Sequence, residues 1–334
     1  GLGVRQMFWA PIRDQIAWLA VVNVIGPRLD SRMPPWSFGN RLYRPAWIEQ
    51  ESKKQLLKIG PYRHTRGIIY RPFTASWPLY RRYLRIAIHR MTNGSTFQQA
   101  LPDAELKVSG FEDSLGRARQ IPYLKPGYWR NKGADVYWLG IDFKRFFPSL
   151  SVDKLARILE AELQLDDPEL NALMRRLLDF RFDPAGYSQG ELQKLDLPLS
   201  STHVPGLPTG LAVSGFLANV AMLPLDREVS KRTKRNQIAH FRYVDDHVVL
   251  EPSLDALIGS FVRYSALVAK YGGGASINPE KILPEGIAQE LSQSGLIDSG
   301  GRVVSPRSKL WRAWLESTDS SKTGELAKVH PDNP

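Results

Sequence analysis

His240-Phe-Arg-Tyr-Val-Asp-Asp-His-Val-Val-Leu250 is the stretch on which the fold turns. Phe241 and Tyr243 before the acids, and Val248, Val249 and Leu250 after them, are aromatic, β-branched or apolar residues that suit a pleated, buried surface. The pattern predicts two short strands joined by a tight turn carrying Asp245 and Asp246. Adjacent acids in a turn usually face water and serve only the turn. Here both flanks are apolar, so the turn projects from a buried hairpin, where unpaired carboxylates are costly. Such a pair calls for a cation.

Upstream, Val136-Tyr-Trp-Leu-Gly-Ile141 is a continuous apolar run bounded by charged residues, as in a buried strand, and it ends at Asp142. Asp142 is the natural third carboxylate. Three carboxylates without thiolates and with little imidazole nearby are hard oxygen donors. They suit a pair of Mg2+ ions, with Mn2+ as a possible substitute. Between the two strands, a helix is expected after Ser151, with Leu155, Ile158 and Leu159 on one face, and another after Asp167 with Pro168 at its first position. Gly210 to about Lys231 reads as a helix kinked at Pro224. Downstream, Ser253 caps an amphipathic helix that Gly272-Gly273-Gly274 stops, and Ala275–Ile277 reads as a short strand. The order β–α–α–ββ–α–β implies an α+β unit, an antiparallel sheet backed by helices.

The N-terminal third is less regular. A helix is expected through the first 35 or so residues, with Met7, Phe8, Ile12, Ile16, Leu19 and Val22 near one face and Pro34-Pro35 as its stop. Residues 62–75 read as a short β-hairpin, and Tyr80 to Met91 as a basic amphipathic helix. From about Glu316 the chain is polar and expected to fray. The divisions expected are 1–135, 136–290 and 291–334.

The 334 residues carry a net charge of +11 and no cysteine, which excludes disulfides and thiolate zinc sites. The longest apolar run, Ile16 to Ile25, is about half of a bilayer span, and no secretory leader is recognisable, so a cytoplasmic protein is expected. Residues 41–90 hold twelve Lys/Arg against two acids, together with eight aromatics. Cations for phosphates and π-faces for bases are what a nucleic-acid groove requires, although a solvated basic surface over core aromatics has the same composition. Arg63, Arg81, Arg82, Arg85 and Tyr243 are the candidates for that contact.

Phe241–Leu250 resembles the Tyr-x-Asp-Asp hairpin of reverse transcriptases. Ile141-Asp142-Phe143-Lys-Arg-Phe146-Phe147-Pro148 is similar to their first catalytic motif. Gly206-Leu-Pro208-Thr209-Gly210 through Ala218-Asn219 and Leu225-Asp226 resembles the loop and helix beneath template and nucleotide, and Asn278-Pro-Glu-Lys281 the later Asn-x-x-Lys motif. Weaker similarity reaches Arg66–Pro72, at the fingers hairpin, and Gly110-Phe111. The resemblance implies a right-hand polymerase of fingers and palm with a small or atypical thumb.

It also implies roles. Asp142, Asp245 and Asp246 would bind the metals with the Phe143 carbonyl, so that a primer hydroxyl attacks the nucleotide and pyrophosphate leaves. Phe147 would exclude a ribose 2′-hydroxyl, unless it is simply a core residue. Lys281 would protonate pyrophosphate, unless it is a solvated lysine. Arg66 and Arg71 would grip the triphosphate or the backbone, and Pro208, Thr209, Gly210 and Asn219 would border the nucleotide. The partners implied are RNA, a structured non-coding RNA included, DNA product, dNTPs and a second subunit or partner protein. Thr209 departs from the family's usual Gln, which puts ordinary templating in doubt. Retron signatures and intron-type extensions are not seen, which leaves the antiphage-defence and abortive-infection branch of bacterial reverse transcriptases. The rivals are an RNA-templated RNA polymerase and a catalytically silent palm serving as an RNA-binding or assembly scaffold.

Overall fold

The computed structural model describes residues 7–44, 46–51, 54–62, 69–92, 121–125, 127–130, 132, 136–164, 167–194, 202–235, 238–278 and 326–328. Helix α1 (Ile12–Asp30) opens it. Its buried face is Trp18, Val22, Gly26 and Leu29, whereas Ile12 and Ile16 are 73% and 60% exposed. The expected face is therefore rotated. Gly26 explains how the helix sits so close: a Cβ there would lie 2.8 Å from Leu42 Cδ1.

Strand β1 (Ser37–Phe38) follows, then a two-stranded antiparallel hairpin of β2 (Ala46–Glu51) and β3 (Lys54–Ile59). Residues 63–68, the middle of the hairpin expected at 62–75, lie outside the described residues. Residues 69–71 run along 41–43, through a bridge between Leu42 and Tyr70 and the bonds from Tyr43 N to Ile69 O and Arg71 N to Arg41 O. Helix α2 spans Phe73–Met91, beginning earlier than its charge pattern suggests. Pro72 fixes its entry, and Pro78 is tolerated near its start, where few intrahelical bonds are lost.

Strand β4 (Tyr137–Ile141) precedes helices α3 (Val152–Leu163) and α4 (Pro168–Leu178). Ser151 accepts from Lys154 N and Asp167 from Glu169 N and Leu170 N, the caps expected of those residues. The long kinked helix resolves into two, α5 (Ser214–Ala221) and α6 (Leu223–Arg235). Gly210, at φ +109°, cannot be helical, and Pro224 lacks the donor needed to carry α5 onward. Strands β5 (Ala239–Tyr243) and β6 (Asp246–Glu251) form the predicted hairpin, and α7 (Leu254–Tyr271) packs behind it.

The main sheet has the order β1-β5-β6-β4-β7, where β7 is Leu326–Lys328. It is a mixed sheet rather than a wholly antiparallel one, because β1 runs parallel to β5. The polar tail expected to fray thus contributes an edge strand along β4. The α+β assignment holds. One hydrophobic core runs from Trp18 to Ile277, and Phe216, Leu217, Phe241 and Leu250 are fully buried in it. No helix among the described residues is long and apolar enough to cross a membrane.

Candidate active site

Strand pairing decides the site. Ile141 of β4 is registered with His247 of β6, and Tyr243 of β5 with Asp246. One step past Ile141 therefore brings Asp142 alongside Asp246, with Asp245 in the adjoining turn. Asp142 and the Asp245-Asp246 pair, a hundred residues apart in sequence, thus share one end of two neighbouring strands. The returning segment closes the place. Asn278 N donates to Asp142 O at 2.9 Å, and the Asn278 amide to Asp142 Oδ2 at 3.4 Å. The predicted strand Ala275–Ile277 amounts to a bridge between Phe143 and Ile277.

The backbone is strained on both sides of the acids. Arg145 has φ +45° and Val244 φ +57°. A β-branched residue in the left-handed region is a true outlier, and such strain gathers where the surroundings over-determine a functional turn. Buried groups hold Val244: its carbonyl accepts from Arg242 Nη1 at 3.3 Å and from His247 Nε2 at 3.2 Å. Arg242 is itself fully buried, bonding Asp226 Oδ2 and Asn219 Oδ1, each at 2.6 Å. Burial holds the His247 imidazole well below its usual range, with His240 and Arg242 adding to it and the Val244 carbonyl opposing. Burial likewise lowers His240, to about 3.

The carboxylates and the Phe143 carbonyl are hard donors that fit divalent magnesium or manganese. Backbone register brings the three acids together, yet among the described residues no three acidic or histidine side chains converge as an ion would require. Like charges repel unless a cation offsets them, and Asp142, Asp245 and Asp246 each have other interaction partners here.

The remaining candidates divide. Phe147 is half-buried, edge-on to Phe146 at 5.5 Å. Its carbonyl accepts from Leu207 N at 2.9 Å, so the loop ending in Pro208-Thr209-Gly210 rests on the segment that follows Asp142. Pro208 is buried and its carbonyl accepts from Ser214 Oγ. The Thr209 carbonyl accepts from Phe8 N at 2.7 Å, and a Cβ on Gly210 would lie 2.2 Å from the Phe8 carbonyl oxygen. Gln15 closes the clasp, donating to Gly210 O and accepting from Ala212 N. Sequence reasoning missed this N-terminal contact because nothing local to Phe8 or Gln15 marks it.

Asn219 must be reassigned. It is fully buried and spends its amide on Gly39 O and Arg242, which makes it a strut beneath the hairpin rather than a nucleotide contact. The Tyr243 hydroxyl is likewise taken, by Ser76 Oγ at 2.8 Å; burial raises its pKa, with Ser76 and Arg71 opposing. Arg71 is buried beside it. The basic window also shrinks. Arg41 is 1% exposed and clamps Asp30 at 2.7 Å, while Arg44 lies over Tyr62. Arg81 and Arg85 remain exposed, one turn apart on α2, and Arg82 is half-buried. Arg63, Arg66, Lys281, Gly110 and Phe111 lie outside the described residues.

Residues 67–284 match the family described as Reverse transcriptase (RNA-dependent DNA polymerase). No curated protein matches the chain. Among solved structures, the chain is similar to telomerase from Candida tropicalis in complex with a TWJ fragment of telomeric RNA. The identity is 13% and the TM-score 0.30, over 75% of this chain and 41% of that one. The corresponding telomerase complex from Candida albicans gives 13% identity and TM-score 0.32, over 80% and 46%. The chain thus spans less than half the length of these two structures. The family match covers about two thirds of the residues and includes all three acids at the shared strand ends, and on that match the chain belongs to the reverse transcriptase family.

Proposed function

We propose that the chain is an RNA-directed DNA polymerase whose metal-binding carboxylates are Asp142, Asp245 and Asp246. The observation that carries this reading is the β4–β6 register, which places Asp142 beside the Asp245-Asp246 turn. Two bound Mg2+ ions would supply charge stabilisation for the attacking hydroxyl and the leaving pyrophosphate. The protein's share is placement. Asn278 orients Asp142, buried Arg242 and His247 hold the turn, and the bond between Phe147 and Leu207 sets the nucleotide loop against the acids. Fingers up to about residue 135 and a palm from 136 to 290 remain our division. The purified protein with Mg2+ should extend a DNA primer on an RNA template with dNTPs. Absence of incorporation on RNA and DNA templates alike, with the protein folded, would favour the silent scaffold.

Phe147 is proposed as the sugar gate. Its ring is partly exposed beside the loop at 206–210, whereas neighbouring Phe146 is buried. Phe147→Ala should raise ribonucleotide use by about 10-fold or more, since a site that excludes by contact loses discrimination of that order when truncated. An unchanged dNTP-to-rNTP ratio would make Phe147 a packing residue only.

Helix α2 is proposed to carry the nucleic-acid strand. Phe73, 61% exposed, stacks on Trp77 at 5.7 Å, Trp77 stacks on Tyr80 at 5.2 Å, and Tyr243 stands edge-on to all three. Phe73, Trp77, Arg81 and Arg85 recur every four residues, so one helix face offers π-surfaces and then cations. Replacing Arg81 and Arg85 together by alanine should lower the slope of log K against log salt by about two, one for each phosphate that is no longer neutralised. An unchanged slope would place the phosphates elsewhere. We place the chain in the antiphage-defence branch because retron signatures are not seen in it. Thr209 in the usual place of Gln supports a further reading, that it acts with a structured RNA and a second subunit; product length before and after RNase treatment tests the part of the RNA.

A further inference from the structure

We propose that His247 is a positioning residue that locks the turn of the two acids, and that Tyr264 sets the tautomer by which it does so. The proposal rests on the polymerase reading above. Position 247 follows Asp246 at the start of a buried strand, where the apolar pattern of Val248, Val249 and Leu250 leads one to expect another hydrophobe. An imidazole that is 1% exposed there needs partners for both nitrogens.

Both partners are present, and they differ in kind. A carbonyl only accepts, so the contact of Nε2 with Val244 O at 3.2 Å requires the hydrogen on Nε2. In the neutral ring Nδ1 is then an acceptor, and the Tyr264 hydroxyl of α7 donates to it. Without the Tyr264 hydroxyl the proton is free to move to Nδ1, which would break the bond to Val244. Val244, at φ +57°, immediately precedes Asp245, so its carbonyl fixes the peptide from which the acidic pair departs.

The same ring reaches the other catalytic strand. His247 stands edge-on to Phe143 at 4.8 Å, one residue past Asp142, and its backbone is registered with Ile141 on one side and Arg242 on the other. His240 at 5.6 Å and Tyr264 at 5.9 Å close the remaining sides of the ring. His247 thus touches the supports of Asp142 and of Asp245 at once. A shift of the ring would change the spacing between the carboxylates while leaving the surfaces that hold template and primer alone.

The test uses the full chain with Tyr264→Phe, His247→Phe and His247→Gln. Tyr264→Phe removes one oxygen and keeps the ring. His247→Phe keeps a ring without a donor, and His247→Gln restores an N–H at the reach of Nε2. Four quantities are read: kcat for dNTP addition, Kd for primer–template, Mn2+ affinity of the free protein by electron paramagnetic resonance, and the thermal midpoint. Groups that orient metal ligands affect affinity or activity by about 10–100-fold. Tyr264→Phe should therefore lower kcat and Mn2+ affinity by about 10-fold, and His247→Phe by up to about 100-fold, with primer–template Kd unchanged within about twofold. His247→Gln should recover most of that loss. Wild-type kcat and Mn2+ affinity in both phenylalanine variants would overturn the proposal. So would losses that follow the midpoint and the primer–template Kd together. A wild type that adds no nucleotide sinks the polymerase reading, and the Mn2+ series then decides the positioning role by itself. If the wild type neither adds nucleotide nor binds Mn2+, both fall.

Discussion

Replacing Asp245 and Asp246 together by alanine should abolish Mg2+-dependent nucleotide incorporation, a loss of at least about 10³-fold, while the chain stays folded. The magnitude follows from what the ions supply: charge stabilisation in a water-poor site is commonly the largest single contribution to catalysis. Folding should survive because Asp245 is half-exposed and Asp246 exposed in a turn, so neither is part of the core. The turn geometry depends on Val244, Arg242 and His247, which the substitution leaves in place. Primer extension, run beside circular dichroism of the same preparation, checks it. Incorporation retained by the folded double variant would falsify the metal assignment.

Asp226→Ala should destabilise the protein by about 3–5 kcal/mol, because it strands the Arg242 guanidinium without a counter-ion in a buried site. Arg242 is 0% and Asp226 2% exposed at the side chain, and they meet at 2.6 Å. In a domain of this size, that loss lowers the thermal midpoint by roughly 6–20 °C, at 2–4 °C per kcal/mol. The exposed pair Lys231–Glu228, also at 2.6 Å, is the internal control. Glu228→Ala should leave the thermal midpoint nearly unchanged, since surface pairs are screened and hold mobile side chains. Equal midpoints for the two variants would mean that Arg242 finds another partner and that the Asp226 pair is not what supports the hairpin. Activity of Asp226→Ala, measured well below its midpoint, should also fall, because Arg242 then holds Val244 and Asn219 less rigidly.

Much of the site was legible in the chain itself because its signals are local. Apolar strands around Asp245-Asp246, an apolar run ending at Asp142, and Ser151 and Asp167 before their helices each declare themselves within a few residues. Backbone propensity and capping act over that range. Three acids at strand ends could be read as one candidate metal site, and the β4–β6 register puts them at the same end of neighbouring strands. The charge of residues 41–90 misled in part for the opposite reason. Whether an arginine faces water or clamps a carboxylate depends on what packs over it, and nothing near Arg41 in sequence announces Asp30 as its partner. The face of α1 was misread similarly, since Ile12 and Ile16 continue an apolar pattern that the core engages only from Trp18 onward.

The sequence by itself determined the α+β order and the acidic hairpin, both encoded in short-range pattern, and it marked Asp142, Asp245 and Asp246 as the carboxylates that we propose hold the metal. Tertiary structure alone decided the parallel seat of β1 against β5, the edge strand at 326–328, the reassignment of Asn219 and the clasp of Phe8 and Gln15 on the 209–212 loop. It also decided the coupling of His247 to Val244 and Tyr264. Most of these pairings join residues tens to about two hundred positions apart, and their free energy exists only once the chain has closed the loops between them.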